Sequence, residues 1–301
     1  RRRMLKLWNI ALVILTFGLT IFGTFLTRSG VIASVHAFSQ GSIGAFFLSF
    51  LALVLLGAFG LLAWRWDRLR ADGELDSVLS RESAFLLNNL ALVAAAFTVF
   101  FGTVFPLLSE AVRGVKVSVG APFFNQVNVP LFLALIFLMG VGPLIAWRRA
   151  SVENLTRNFL GPVAVGIGAA AVLWLAGVRS TLAVLTLGLT VFTAGAMALD
   201  FARAARARMR GGLGLLPAMG TLLRRHNRRY GGFGVHLGIL IIALGVTGSQ
   251  AWSVQTEATL KPGKTVRLAG YAVRFDGLSA AQDSTHAKVI GTFTVSNGRG
   301  E

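Results

Sequence analysis

Cysteine is missing from this sequence of 301 residues, and with it goes any disulfide framework, thiolate metal site or cysteine nucleophile. A reaction that needs a thiol must take its sulfur from a partner. Charge is scarce as well: 14% of the residues are Asp, Glu, Lys or Arg, against 54% hydrophobic, and the mean hydropathy is +0.69. A water-soluble domain of this size rarely reaches such values, so lipid is the solvent for most of the chain. Neither an internal repeat nor a low-complexity tract is present. The net charge of +17 raises nucleic acid as a partner. The pattern argues for no nucleic acid, because the basic residues sit between apolar runs rather than along one face or groove.

What the chain does have is long apolar runs. A bilayer-spanning helix needs roughly 20 predominantly apolar residues, since unpaired backbone groups cannot be left in hydrocarbon. Seven stretches qualify: 8–26, 44–64, 85–108, 129–147, 159–177, 181–201 and 231–249. Trp8, Trp64, Trp66, Trp147 and Trp252 fall at or near the ends of these spans, where an indole is comfortable at headgroup level. Beyond the last span the pattern changes. Residues 265–268 and 271–275 alternate apolar and polar, with Lys261, Pro262 and Gly263 as turn residues, and 292–295 alternate into Ser296, Asn297 and Gly298. Asn-Gly is a strong hairpin signal.

The expected fold is therefore an all-α polytopic membrane protein of about seven transmembrane helices, with a truncated extracytoplasmic β-rich domain at the C-terminus. Residues 1–249 make the helical domain and 250–301 the incomplete β domain. Both ends read as cut: the chain starts at Arg1 in a basic flank of Arg2, Arg3 and Lys6, and the strand returning from Asn297-Gly298 is missing.

An ionisable residue inside a membrane span is costly and is a functional candidate by default. Of four histidines, His236 is the one so placed, about six residues into the last span within Gly231-Gly232-Phe233-Gly234-Val235-His236-Leu237-Gly238. Gly232 lies one turn before it and Ala243 two turns after, on one face by helical spacing. That leaves a shallow trough in which a flat macrocycle fits, with the imidazole as an axial ligand to iron. The alternative is a histidine hydrogen-bonded to a neighbouring helix, with the glycines serving close packing. His36 sits in the first extracytoplasmic loop, 27–43, among Val31, Ile32, Val35 and Phe38. Such a segment either lies along the interface, with His36 a surface residue, or lines an apolar pocket. His226 belongs to a basic run with Arg224, Arg225, Arg228 and Arg229, a topology signal near anionic lipid, and His286 reads as a solvated loop residue.

At the level of whole strings the sequence becomes specific. Ile21-Phe22-Gly23-Thr24-Phe25-Leu26-Thr27-Arg28-Ser29-Gly30-Val31, Ser34-Val35-His36-Ala37-Phe38, Ser80-Arg81-Glu82, Pro122-Phe123-Phe124-Asn125, Met139-Gly140-Val141-Gly142-Pro143-Leu144 and Arg228-Arg229-Tyr230-Gly231-Gly232 closely resemble the CcmF family of cytochrome c-type biogenesis proteins. That family supplies the large membrane subunit of the bacterial cytochrome c haem lyase.

The resemblance implies a bacterial inner-membrane, multi-pass protein that receives haem from a membrane-tethered, CcmE-like chaperone. It attaches that haem to the Cys-x-x-Cys-His motif of apocytochrome c, with a CcmH-like thiol-reducing subunit as a further partner. Position by position, His36 matches the second of two extracytoplasmic histidines that ligate the haem in transit. His236 matches the second of two membrane histidines that hold a resident haem b, with quinol as an electron donor. The first histidine of each pair lies upstream of Arg1 in the family, so the chain resembles its C-terminal half. The rival readings are a membrane transporter of haem or another solute, which requires polar or broken helices converging at mid-membrane, and a non-catalytic scaffold subunit of the maturation complex. The same strings also fit a branch of the family dedicated to one unusual cytochrome.

Orientation follows from the basic residues. The segments before the first span and after the second, fourth and sixth hold 19 of the 29 Lys and Arg; those after the first, third and fifth hold 4. By the positive-inside rule the N-terminus and residues 202–230 are cytoplasmic, and the C-terminal segment is periplasmic. A reporter active only outside the cytoplasm is expected to work when fused after Ser39 or Ser253 and to fail after Gly211. Activity at Gly211 would invert the arrangement.

Overall fold

The computed structural model describes residues 6–29, 43–69, 77, 79–145, 151–282 and 287–297. The chain divides into two compact units, Arg1–Asp76 and Ser77–Glu301. Among the described residues, seven helices are long and apolar enough to cross a membrane, as the seven apolar runs require.

The first unit pairs α1 (Lys6–Arg28) with α2 (Ile43–Trp64), followed by the short α3 (Trp66–Leu69). Their approach is set by Gly18, where a Cβ would lie 2.9 Å from Cδ2 of Leu55. Thr16, Thr20, Thr24 and Thr27 on α1 each donate their hydroxyl to the carbonyl four residues earlier, at 2.7 to 3.1 Å. In lipid a hydroxyl has no water to turn to, so the helix's own backbone satisfies it.

The second unit contains α4 (Arg81–Arg113), α5 (Ala121–Leu144), α6 (Val152–Leu175), α7 (Thr181–Met209), α8 (Leu215–Arg225) and α9 (Asn227–Trp252). Most of these run past the apolar stretches that announce them. The start of α4 is set by Ser80, whose Oγ accepts from the Ser83 amide at 3.2 Å, and its end by Gly114 at φ 68°. α5 begins eight residues before the expected 129, because Gly120 and Pro122 make a helix start and the helix then carries Asn125, Gln126 and Asn128. Pro106, Pro130, Pro143 and Pro162 lie inside helices that continue through them. Trp147 lies outside the described residues.

α7 is the central helix, packing on α5, α6, α8 and α9. Small residues bring the helices together. A Cβ at Gly140 of α5 would meet Cε1 of Phe192 at 2.6 Å and Oγ1 of Thr193 at 2.8 Å, and one at Gly166 of α6 would meet the Gly188 carbonyl oxygen at 2.8 Å. Thr193, fully buried, donates to the Ile136 carbonyl at 2.7 Å across the α5–α7 contact. The last carbonyls of α5 are bound by its neighbours: Arg81 Nη2 donates to those of Pro143 and Ile145 at 2.9 and 3.1 Å, and Asn158 Nδ2 to that of Leu144 at 3.3 Å. Arg203 Nη1 in turn donates to Asn158 Oδ1 at 2.6 Å. A helix end that buries its free carbonyls needs such partners.

The tail forms an antiparallel sheet in the order β1 (Thr265–Leu268), β2 (Tyr271–Gln282), β3 (Ala287–Asn297). Leu268 pairs with Tyr271, and the two residues between them, Ala269 and Gly270, take φ of 50° and 88°, as a tight hairpin requires. The alternating run 292–295 lies inside β3 and pairs back onto β2, with Val295 opposite Val273. Asp276 sits at a register shift and accepts from Thr294 Oγ1 at 2.6 Å and Arg274 Nε at 2.7 Å; these bonds hold its carboxyl below the usual carboxylate range.

Gly166 gives the sharpest test of the packing, because its opposing atom is backbone and cannot rotate away. Gly166→Val is expected to destabilise the α6–α7 pair by about 1–3 kcal/mol, read as a lower thermal midpoint of the detergent-solubilised protein. Gly168→Val, where an added Cβ meets nothing within 4 Å, is the matched control and leaves the midpoint in place.

Candidate functional site

The start of α9 is built as an anchor. His226, at φ −124° and ψ 40°, breaks the chain between α8 and α9. Ala205 of α7, Leu222 of α8 and Tyr230 of α9 form one buried core, with Phe201, Ala204, Met219 and Phe233 against it. The Tyr230 ring meets Phe201 edge-on at 5.1 Å and Phe233 edge-on at 5.5 Å, a preferred geometry for aromatic pairs. Beside it, Arg229 Nη2 donates to Asp200 Oδ1 at 2.6 Å. Asp200 is the only acid in its span, and with Arg229 it ties α9 to α7. Sequence reading based on histidines passes over this pair, although a lone carboxylate near the end of an apolar run is itself a signal.

His236 stands six residues beyond Tyr230, about 9 Å along the helix. Its side chain is half-buried, and Nδ1 is shielded and has no hydrogen-bond partner in the described structure. The same holds for Asn128 Oδ1, Thr186 Oγ1 and Thr190 Oγ1, buried on α5 and α7 at 7, 2 and 5% exposure, and for Trp8 Nε1, Glu82 Oε2 and Asp200 Oδ2. His236 instead occupies a helix whose only buried residues are Tyr230 and Leu240.

The glycines around it bear on the two readings of the segment. A Cβ built at Gly231, Gly232, Gly234 or Gly238 meets nothing within 4 Å, whereas Gly102, Gly140 and Gly166 have neighbours closer than 3 Å. Among the described residues these four glycines make no close helix contact, and Nδ1 of the imidazole has no hydrogen-bond partner on a neighbouring helix. What remains, among the described residues, is a shielded and unpartnered Nδ1 on a stretch of helix whose glycines face open space. That arrangement fits a flat macrocycle whose own nitrogens fill the equatorial positions of a metal and which asks the protein for one axial imidazole. No group of three or more His, Asp or Glu suited to a bare metal ion occurs among the described residues.

Of the other histidines, His226 alone falls among the described residues. His36 and His286 lie outside the described residues. His226 is exposed, and its Nε2 sits 3.1 Å from Arg208 Nη2.

No family model matches the chain. Curated relatives do. The cytochrome c-type biogenesis protein CycK of Rhizobium meliloti is 38% identical over 303 residues, which is 99% of this chain and 44% of that protein. The cytochrome c-type biogenesis protein CcmF of Pseudomonas aeruginosa is 37% identical over 98% of this chain and 44% of its own length. A solved structure, cytochrome c heme lyase CcmF, superposes with a TM-score of 0.62 at 32% identity and covers 97% of this chain and 42% of that one. The chain thus spans a little under half the length of the relatives it matches. Seven lipid-length helices, a terminal three-stranded sheet and end-to-end identity above 30% agree, and the chain belongs to the CcmF/CycK family of cytochrome c-type biogenesis proteins.

Proposed function

We propose that this chain is the haem-handling part of a cytochrome c haem lyase subunit, a multi-pass protein of the bacterial inner membrane. The observation that carries the reading is the His236 imidazole, left without a hydrogen-bond partner on an open, glycine-lined stretch of a membrane helix. The transmembrane part is 1–249, and residues 250–301 stand on the extracytoplasmic side, with the N-terminus and 202–230 in the cytoplasm.

His236 would hold a resident b-type haem through its imidazole, and Gly232, one turn away, would leave room for the ring. When bound, this group supplies one-electron chemistry between a quinol donor and the haem being delivered. His236 itself offers a neutral imidazole lone pair, and Tyr230, Phe233 and the Asp200–Arg229 pair fix where that imidazole stands relative to α7. Apolar surroundings in lipid keep water from the site.

His36 is the second half of the mechanism. Haem in transit is the substrate, taken from a CcmE-like chaperone, and His36 holds its iron so that the vinyl edge faces an apocytochrome c whose cysteines a CcmH-like subunit keeps reduced. Each thiol adds across a vinyl group: the sulfur–carbon bond forms as the carbon–carbon π bond breaks, and the proton ends on the neighbouring carbon, with no net oxidation. Both sulfurs belong to the apocytochrome, which agrees with a sequence that has no cysteine. The protein's contribution is proximity and orientation, and the cofactor carries the hard chemistry.

His236→Ala is expected to remove the b-type absorbance from membranes while the amount of inserted protein stays the same. A full spectrum in the variant would return His236 to a structural role. His36→Ala is expected to bring attachment of haem to a Cys-x-x-Cys-His reporter down to background while the b-type spectrum persists, and added imidazole should restore part of it by filling the axial position. Normal cytochrome maturation in this variant would sink the delivery role, and joint loss of the resident haem would mean that the two sites are coupled.

A further inference from the structure

The connection between α7 and α9 carries more positive charge than its packing uses. From Arg203 to Arg229 there are eight arginines and no acid. Three are committed within the protein: Arg203 to Asn158, Arg208 to His226 and Arg229 to Asp200. Arg206, Arg210, Arg224, Arg225 and Arg228 are exposed, and among the described residues none of them has a partner.

α8, within this connection, is amphipathic on two sides. Ala218 and Leu222, at 0 and 1% exposure, face the core shared with Ala205 and Tyr230. Around the same helix Leu215, Leu216 and Leu223 are 53, 79 and 51% exposed, with Leu213 and Met209 exposed just before them. By helical spacing Leu216 and Leu223 share a face, and Arg224 lies about a quarter turn further round. Eleven residues make about 16 Å of helix, too short for a hydrocarbon core of roughly 30 Å. Yet α8 is tied at both ends to membrane-length helices that pack on each other and on it. It is confined to the membrane surface, with one apolar face satisfied by protein and a second one bare among the described residues.

We infer that α8 lies in the bilayer interface as a binding element for anionic phospholipid, with Leu216 and Leu223 inserted at the acyl boundary and Arg224, Arg225 and Arg228 on the phosphates. The bare leucines and the unpaired guanidinium groups then find partners in the same layer, since a short amphipathic helix binds through apolar area plus attraction to anionic headgroups. A soluble protein partner would need carboxylates to meet five arginines and an apolar groove for the leucines, at a surface where lipid already supplies both. The inference does not depend on haem.

The absence of cysteine makes the test direct, because Leu216→Cys creates the only thiol. The labelled full chain is reconstituted in phosphatidylcholine vesicles with and without phosphatidylglycerol. The expected result is a fluorophore quenched by shallow spin-labelled lipid, shielded from aqueous iodide, and blue-shifted further by phosphatidylglycerol. Co-purifying phosphatidylglycerol should bind on the order of 100-fold more weakly to R224A/R225A/R228A. R224K/R225K/R228K, which preserves the charge and so the topology, should keep most of the affinity, and binding to the unmutated chain should weaken with salt. Iodide access to the label, or phosphatidylglycerol binding that is indifferent to both the alanine variant and salt, would overturn the inference. Shielding that appears only when a soluble protein is added would assign the face to protein docking instead.

Discussion

Everything in this chain is arranged around the absence of water from the middle of a bilayer. A polar group placed there must be satisfied from within the protein, and most of those present are. The threonines of α1 turn back onto their own helix, Thr193 reaches the α5 backbone, and Arg81 and Asn158 close the end of α5. The exceptions then carry meaning. Those buried between α5 and α7 sit in closed packing, where small residues set the separation of the helices. The exception on α9, Nδ1 of His236, lies on a stretch whose glycines have nothing within 4 Å among the described residues, and the proposed haem ligand rests on that.

The spans were legible because a run of about 20 apolar residues in lipid has few alternatives to a helix. Their ends were not, because the apolar run ends where the lipid does while hydrogen bonding continues. α7 carries on through Arg203, Arg206 and Arg208 to Met209, basic residues that complement the negative end of the helix dipole. α5 starts early on the strength of Gly120 and Pro122, which a hydropathy window ignores. In the tail, alternation led as far as Phe275 and stopped at Asp276-Gly277, where the register shifts and the period of two is lost for one residue.

The proposed site was legible in its candidate ligand and not in its support. His236 stands out in a glycine-rich apolar run, because ionisable groups in lipid are expensive. What spacing alone left open was whether its glycines pack or make room. That question turns on atoms from other helices, which no local pattern records; among the described residues Gly231, Gly232, Gly234 and Gly238 have empty surroundings, which supports the second. The Asp200–Arg229 pair joins residues 29 positions apart and depends on α8 folding back between them, so neither residue alone announces the other.

A helix that is to receive a wide, flat ring cannot also bury that face against protein, so packing and binding compete for the same surface. On the proposed haem reading, α9 resolves the competition by position along the helix. Its first turns hold Arg229, Tyr230 and Phe233 in an ion pair and an aromatic cluster, which fix rotation and depth. Beyond them Leu240 is the one further buried contact, and the glycines leave the rest of the surface low. Anchoring at one end leaves the imidazole on a helix whose glycines would keep its own side chains out of the proposed site.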